Sequence, residues 1–214
     1  MTEKIEAVIF DCDGTLVDSE VLGQEILVEV LAEYGVVVPL TDALVARFRG
    51  RKLHDCLAEI QVDLEHKLPE EEFIPRFRRR MAEVFPLRLQ PIDGALDLVR
   101  SLRRPFCVAS SGPREKIEMS LSITGLLPFF ERQIFSSYEV GVWKPNPGLF
   151  LHAAKTLGVE PRHCAVIEDS IPGIQAGLAA GMTVFAFQPD TVELNAPEGV
   201  SIVRHLSELT PLLA

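Results

Sequence analysis

The stretch "FDCDGTLVDSE", residues 10–20, places Asp11 and Asp13 directly after the apolar run Ala7–Phe10 and directly before Gly14. Two carboxylates this close together each raise the cost of ionising the other, unless a cation, a proton or hydrogen-bond donors compensate their charge. The stretch therefore predicts a bound ligand, most simply a cation, at the end of a buried strand.

Two simpler explanations of the stretch are less favoured. An Asp-Gly pair is typical of a hairpin turn, but the residues "TLVDSE" that follow do not have the pattern of a returning strand. A calcium-binding loop would need oxygen ligands at its fifth and twelfth positions, which fall on Thr15 and Leu22. Leucine has no such ligand, so a calcium loop is not predicted.

Length and charge limit the class of protein. The chain has 214 residues, 47% of them hydrophobic and 24% charged, which is enough for a sizeable core and predicts one core domain with a substantial insertion. The net charge of −10 argues against nucleic acid or an anionic membrane as a partner, because phosphate groups select for excess Lys and Arg. Residues 1–14 have the pattern of neither a signal peptide nor a membrane span.

The cysteines indicate a reducing compartment. Of the four, Cys12, Cys107 and Cys164 lie in or beside apolar runs, and the spacing matches neither CxxC pairs nor a secreted disulfide pattern. We therefore predict reduced thiols in the core and a cytoplasmic location.

Short β-branched or aromatic runs recur along the chain with longer helix-like segments between them. The predicted strands are Ala7–Phe10, Phe106–Ser110, Gln133–Ser136, Cys164–Ile167, Thr183–Phe187 and the weaker Ile202–Val203. Alternation of this kind is typical of a parallel sheet with helices on both faces. We predict a doubly wound, Rossmann-like α/β fold.

One interval lacks strands. Between Asp18 and about Leu87 the patterns are helical, as in "SEVLGQEILVEVLAEYG", where apolar residues recur at steps of three and four before Gly35. We predict a helical cap domain of residues 18–87, inserted into a core domain of residues 1–17 and 88–214.

Polar or charged residues follow four of the predicted strands. In chain order these are Asp11 and Asp13, then Ser110, Ser111 and Gly112, then Lys144, then Glu168 and Asp169. In an open α/β sheet, ligands bind beyond the carboxyl ends of the strands. Taken singly, the acid pair or the serines could cap a helix and the lysine could be solvated. Their joint placement favours one functional site.

The chemistry of these groups fits phosphoryl transfer. The cluster of Asp11, Asp13, Glu168 and Asp169 is rich in carboxylate oxygens, which suits a hard cation such as Mg²⁺, and Lys144 adds positive charge. Such sites act mainly by positioning and by stabilising charge. Asp11 is the candidate nucleophile and Asp13 the candidate acid and base.

A phosphate oxygen needs its own hydrogen-bond donors in such a site. Ser110 and the amide of Ser111 or Gly112 precede a predicted helix that starts at about Pro113. Amides at the start of a helix are suited to binding phosphate, so we predict that these residues hold it.

Four motifs together resemble the haloacid dehalogenase superfamily of phosphohydrolases. They are "DCDGT" at residues 11–15, "VASSG" at 108–112, "WKPNP" at 143–147 and "VIEDSIPG" at 166–173. The order matches the branch with a helical cap after the first strand, which includes proteins like β-phosphoglucomutase and phosphoglycolate phosphatase. The resemblance covers nearly the whole chain.

The resemblance implies a role for each matching residue. It implies that Asp11 is the nucleophile and a Mg²⁺ ligand, and that Asp13 is the acid and base and binds the metal through its main-chain carbonyl. It further implies that Ser110 and Lys144 hold the phosphoryl group. Asp169, with Glu168 beside it, completes the implied metal site.

Other chemistries of the superfamily fit less well. Dehalogenases and phosphonate-cleaving enzymes lack the second aspartate, which is present here as Asp13, although Lys52 is a possible counterpart of the imine-forming lysine of the phosphonate branch. Mutases carry a histidine at the position that aligns with Gly23, and the first histidine here is His54. A hydrolase is therefore favoured. A non-catalytic phospho-ligand binder would not need Asp13, and a receiver domain would lack the insertion.

The predicted cap contains a basic cluster in "RFRGRKLHDC", residues 47–56. Arg49, Arg51 and Lys52 surround Gly50, with Arg47 just before them. The cluster fits either a solvated helix end or recognition of a second anion on the substrate. Because "GRKL" and "WKP" are similar to bacterial phosphatases of the 6-phosphogluconate type, we predict a small phosphorylated sugar or sugar acid as substrate. A second basic run, residues 76–80, is predicted to solvate a helix face.

Overall fold

The structure is a computed structural model that describes residues 4–63, 65, 67–130, 132–189, 196–197 and 200–213. Its strands are β1 Ala7–Phe10, β2 Phe106–Ser110, β3 Ile134–Ser136, β4 Cys164–Glu168, β5 Thr183–Phe187 and β6 Ser201–Val203. Within the described residues they form one six-stranded sheet in the order β3-β2-β1-β4-β5-β6, and every pairing is parallel. Each predicted strand is confirmed to within one residue at either end.

Helices cover both faces of the sheet. Those between β1 and β2 are α1 Glu20–Glu33, α2 Asp42–Phe48, α3 Leu53–Asp63, α4 Glu70–Arg88 and α5 Ala95–Ser101. The later ones are α6 Arg114–Ile123, α7 Leu127–Phe130, α8 Ser137–Val140, α9 Gly148–Leu157, α10 Ile171–Ala179 and α11 Thr210–Leu213. Short 3₁₀ turns lie at Pro161–His163 and Leu206–Leu209. The predicted doubly wound α/β fold is confirmed.

The central strand β1 shows why these apolar runs become strands. Val8 and Phe10 belong to one buried apolar cluster, whereas Ala7 and Ile9 belong to the cluster on the other face of the sheet. Successive side chains of a strand point to opposite faces, so a strand that is buried on both sides needs an unbroken apolar run.

The helical insertion shares an apolar cluster with one face of the sheet. Among the described residues between 18 and 87 there is no strand, and the last helix of the insertion, α4, ends at Arg88, one residue beyond the predicted boundary. Ile26, Leu57 and Phe73 of the insertion belong to the same apolar cluster as Phe10 of the sheet. The assignment of residues 18–87 to a separate cap domain stays a prediction.

Two short segments connect the insertion to the sheet, and they lie side by side. The amide of Asp18 donates to the carbonyl of Gln90 at 3.0 Å, and the amide of Ile92 donates to the carbonyl of Leu16 at 2.9 Å. We call the pair formed by residues 16–18 and 90–92 the neck. The chain therefore leaves the core and returns to it at adjacent points.

Two further sequence expectations concern burial and hydropathy. All four cysteines are buried and unpaired with one another. Burial raises the pKa of the Cys12 and Cys107 thiols and raises that of Cys56 to about 12 and that of Cys164 to about 11. Within the described ranges, no helix has the length and apolar character needed to cross a membrane.

Thiol labelling tests the burial of the cysteines. Because the thiolate is the reactive form, we expect each thiol of the native protein to react with Ellman's reagent at pH 8 at least roughly 100-fold more slowly than in denaturant. After unfolding in guanidinium chloride, four equivalents should react. A native thiol that reacts at the denatured rate would contradict the packing described above.

Candidate active site

The order of the strands places the site. β1 and β4 are neighbours in the sheet although most of the chain separates them, and such a switch point opens a crevice beyond the carboxyl ends of the strands. Asp11 follows β1 directly and Glu168 is the last residue of β4. The Asp11 amide continues the pairing by donating to the Ile167 carbonyl at 3.0 Å. The two predicted acidic motifs therefore meet.

Lys144 joins these two strand ends. Its Nζ lies 2.5 Å from Asp11 Oδ1 and 2.6 Å from Glu168 Oε1, and its side chain is only 2% exposed. Burial acts to lower the pKa of Lys144, but the two carboxylates outweigh it and hold that pKa above its usual value. The lysine is therefore a buried ammonium beside the candidate nucleophile, and its predicted contact with the phosphoryl group stays a prediction.

Glu168 is held on both of its oxygens. Oε1 accepts from Lys144, and Oε2 accepts from the amide and the hydroxyl of Ser170 at 2.7 and 2.8 Å. A Cβ on Gly173, in the first turn of α10, would lie 1.8 Å from Oε1. The glycine of the fourth motif therefore leaves room for the Glu168 carboxylate.

Asp169 lies against the first motif and the insertion. Its Oδ1 accepts from Thr15 Oγ1 at 3.2 Å, and its Oδ2 lies 2.5 Å from Arg49 Nη1. Gly14 has φ +75°, and a Cβ there would lie 2.0 Å from Asp169 Oδ2. Both the conformation and the close approach require glycine at position 14.

The carboxylates of Asp11, Glu168 and Asp169 can offer one oxygen each to a metal ion. These oxygens lie within 4.8 Å of one another, and all three residues are buried. Burial raises the pKa of Asp11 and of Asp169 in spite of Lys144 and Arg49, and the two cations do not balance the charge of three carboxylates. Buried carboxylate oxygens of this kind fit a hard divalent cation such as Mg²⁺.

Asp13 is turned away from this cluster. Ser19 Oγ donates to its Oδ1 at 2.6 Å, and Lys116 Nζ lies 2.8 Å from its Oδ2. Burial acts to raise the pKa of Asp13, but Lys116 and Ser19 outweigh it and the pKa lies below its usual value. Its side chain is thus available for proton transfer, and a metal role would fall to its main-chain carbonyl.

The predicted phosphate-binding residues form a loop between β2 and α6. Ser110 is 1% exposed, and its Oγ accepts from the Gly112 amide at 3.1 Å. Ser136 Oγ donates to the Gly112 carbonyl at 2.6 Å. Ser110, Ser111 and Gly112 all line the cavity described next, so the loop is fixed beside Asp11 and Asp13.

A cavity of about 530 Å³ lies between the strand ends and the insertion. The predicted residues on its core side are Asp11, Asp13, Ser110, Ser111, Gly112, Lys144 and Glu168. The wall from the insertion is largely apolar and includes Leu27, Phe48, Leu53, Phe77 and Met81. Pockets that combine apolar walls with a few placed polar groups are typical of ligand sites.

The basic cluster of the insertion divides into separate roles. Gly50, Arg51 and Lys52 line the cavity, and Lys52 Nζ lies 4.2 Å from the centroid of the Trp143 ring. Arg51 also contacts Glu59 at 2.5 Å. Arg49 lies against Asp169 instead of lining the cavity, so its predicted contact with substrate stays a prediction.

Several polar residues of the cavity were not found from the sequence. Ser19 and Lys116 hold Asp13, while Gln24 and Arg78 lie on the side of the insertion. Lys116 lies in the first turn of α6, the helix that follows the phosphate loop, a position that could have suggested it. Arg78 belongs to the run predicted to solvate a helix face. Its neighbours do so, since Arg76 and Arg80 contact Glu33 and Glu29.

Comparisons with known proteins identify the family of the chain. Residues 5–181 match the haloacid dehalogenase-like hydrolase family. The chain is 36% identical over 211 residues to 6-phosphogluconate phosphatase of Escherichia coli, covering 98% of this chain and 95% of that protein. It is 33% identical over 189 residues to fructose-1-phosphate phosphatase of Escherichia coli, covering 85% and 96%.

A solved structure extends the likeness to three dimensions. A haloacid dehalogenase family hydrolase from Deinococcus radiodurans, crystallised with bound phosphate and sodium, has a TM-score of 0.77 and 30% identity over 98% of both chains. The present chain belongs to the haloacid dehalogenase-like hydrolase family. The predicted family and the predicted class of enzyme, a phosphoric monoester hydrolase, are both confirmed.

A pair of glycine substitutions tests the packing around Asp169. Gly14 and Gly35 have nearly the same φ, +75° and +77°, but only Gly14 has other atoms near its Cβ position. We expect Gly35→Ala to lower the free energy of unfolding by about 1–2 kcal/mol and Gly14→Ala to cost roughly 1–3 kcal/mol more. Urea denaturation measures both.

Phosphatase assays on the same two variants separate the site from the turn. Gly14→Ala should lose phosphatase activity because its methyl group displaces the Asp169 carboxylate, while Gly35→Ala should keep it. Equal stability and equal activity in the two variants would contradict the close approach at Gly14.

Proposed function

We propose that the protein is a Mg²⁺-dependent phosphatase that hydrolyses a small phosphorylated sugar or sugar acid, such as 6-phosphogluconate, through an aspartyl-phosphate on Asp11. The observation that carries the proposal is that Asp11 and Asp13, from one segment of the chain, and Lys144, from a distant segment, line one cavity. The activities named for the two relatives above support the class of substrate.

In the first half of the proposed reaction, a carboxylate oxygen of Asp11 attacks phosphorus and the bond to the ester oxygen breaks. Asp13, which must take up a proton before this step, gives that proton to the ester oxygen, so the leaving group departs as a neutral alcohol. Lys144, at 2.5 Å from Asp11 Oδ1, keeps the nucleophile oriented. Ser110 and the amides of the phosphate loop receive the phosphoryl oxygens.

In the second half, a water molecule attacks the phosphorus of the aspartyl-phosphate. Asp13, now a carboxylate, takes a proton from the water, and the bond between phosphorus and the Asp11 oxygen breaks. Inorganic phosphate leaves and Asp11 is regenerated. The contacts of Asp13 with Ser19 and Lys116 support this role, because they hold its carboxylate beside the cavity.

Magnesium would be held by Asp11 and Asp169, with Glu168 beside them and with the main-chain carbonyl of Asp13. Bound there, it would neutralise charge on the phosphoryl group. The buried oxygen cluster and the raised pKa values of Asp11 and Asp169 support a divalent cation at this point.

The cavity favours hydrolysis over a mutase reaction. Gly23 lines the cavity at the position where mutases of the family carry a histidine, and no atom lies within 4 Å of where its Cβ would be. The residue therefore offers no proton donor or acceptor side chain.

Three groups on the insertion support a hydroxylated and acidic leaving group. Lys52 and Arg78 bring positive charge to the cavity, and Gln24 lines it as well. The Oε1 atom of Gln24 is buried without a hydrogen-bond partner, and a buried acceptor of that kind is costly unless a ligand satisfies it. A substrate hydroxyl would do so.

The insertion would act as a cap domain of residues 18–87 that closes over bound substrate and excludes bulk water. Its apolar wall supports this role. We further propose a cytoplasmic location, which the unpaired, buried cysteines support.

Phosphate release tests the chemistry. With Mg²⁺, the purified protein should release phosphate from a panel of phosphorylated metabolites, most rapidly from sugar-acid phosphates, and EDTA should abolish release. Asp11→Asn, which removes the nucleophilic oxygen with little change in shape, should lower kcat by at least about 10³-fold. Retained turnover in Asp11→Asn would exclude Asp11 as nucleophile.

A matched pair of substrates tests the acidic leaving group. Lys52→Ala should raise KM for 6-phosphogluconate about 10-fold, as expected for a lost charge-assisted contact, and should change KM for glucose 6-phosphate much less. Lys155→Ala, an exposed lysine on α9, is the control and should change neither value. Equal effects of Lys52→Ala on the two substrates would remove the carboxylate from the proposal.

A further inference from the structure

Arg49 connects the insertion to the acidic cluster of the core. It follows α2, and its Nη1 lies 2.5 Å from Asp169 Oδ2, with the two side chains only 10% and 1% exposed. The other oxygen of Asp169 accepts from Thr15. The guanidinium is thus the cation that contacts this carboxylate in the described part of the chain.

The neighbouring arginines of the cluster do not make such a contact. Arg47 contacts Glu59 and Asp63, and Arg51 contacts Glu59, so both are paired within the insertion. Arg49 alone among these three crosses to the core. It also differs from them in burial, since the side chains of Arg47 and Arg51 are 42% and 29% exposed.

The backbone beside Arg49 is shaped to sit on the core. Gly50 has φ +68°, and a Cβ there would lie 2.4 Å from both Cβ and Oγ of Ser170. A residue with a side chain would be strained by the conformation and would collide with Ser170. The Arg49–Gly50 turn therefore lies directly against Asp169 and Ser170. The ion pair is thus part of a closely packed contact between the insertion and the core.

The charges of the site make this contact relevant to metal binding. Asp11, Glu168 and Asp169 are three buried carboxylates, and Lys144 contacts the first two of them. Arg49 supplies the positive charge at the third. A divalent cation held by the same cluster would bring charge to the carboxylate that Arg49 already neutralises.

We propose that Arg49 is a built-in competitor of the divalent cation for Asp169, so that this residue of the insertion sets the metal affinity of the core site. The proposal rests on the metal site given under the proposed function. By linkage, a cation that weakens the contact of Arg49 with Asp169 is itself bound less tightly while that contact exists. Contact of the Arg49–Gly50 turn with the core therefore weakens metal binding, and metal binding weakens that contact.

Calorimetric titration of the metal-free full chain with magnesium chloride tests the proposal without substrate. Arg49→Gln should bind Mg²⁺ about 10-fold more tightly than the natural protein, within the usual range of coupling between sites. Arg47→Gln is the matched control, because it removes the same charge two residues away without touching Asp169. It should leave the affinity unchanged.

The outcomes separate this proposal from the proposed function. Unchanged or weaker binding in Arg49→Gln, with Mg²⁺ binding intact in the natural protein, overturns the competition alone. Equal tightening in Arg47→Gln and Arg49→Gln also overturns it, because the effect would then be one of general charge. Absence of Mg²⁺ binding in every form overturns both the competition and the metal site.

Hydrogen exchange on the natural protein gives a readout that needs no variant. The amides of Arg49 and Arg51 donate to the carbonyls of Val45 and Phe48 at 3.0 and 3.1 Å. With saturating Mg²⁺, exchange over residues 45–52 should become faster, because the metal weakens the contact that holds this segment on the core. Unchanged or slower exchange would overturn the proposal even if Arg49→Gln failed to fold.

Discussion

A buried ammonium between two carboxylates is the interaction on which the rest of the site depends. Lys144 is fully removed from water beside Asp11 and Glu168, and charges so buried are tolerated only when each finds its partners. Removal of Lys144 would leave both carboxylates buried without this cation. The ends of β1 and β4 and the segment that carries Lys144 are thereby held as one unit, and Ser170 and Gly173 extend it into α10.

Much of this arrangement could be predicted because it follows from short patterns of apolar and polar residues in the sequence. Strands buried on both faces require unbroken apolar runs, as β1 and β4 show, and the polar residues after them must then lie at one edge of the sheet. The reason for the glycines at positions 14 and 173 became clear only with the structure. Gly14 leaves room for the carboxylate of Asp169, about 150 residues away, and Gly173 leaves room for that of Glu168, a few residues away. A sequence pattern does not show what approaches a backbone from elsewhere.

The partners of charged side chains were the least predictable feature. Arg47, Arg49 and Arg51 are alternate residues of one short segment, yet Arg49 pairs with Asp169, 120 positions away, while the others pair within the insertion. Helix propensity was a poor guide as well, because α4 continues through Pro75 and Pro86 although proline removes a helical hydrogen bond. Tertiary packing of Phe73, Phe77 and Phe85 outweighs that loss.

The neck has a consequence for how proteins of this architecture diversify. Since residues 16–18 and 90–92 lie side by side, the sheet is joined to the whole insertion through two adjacent chain crossings, and segments whose ends lie close together are readily exchanged or lengthened. A different set of helices inserted at the same crossings would face the same residues at the carboxyl ends of the strands. Under the proposed function, the helices that face the leaving group can therefore change in evolution while the residues at the strand ends stay the same.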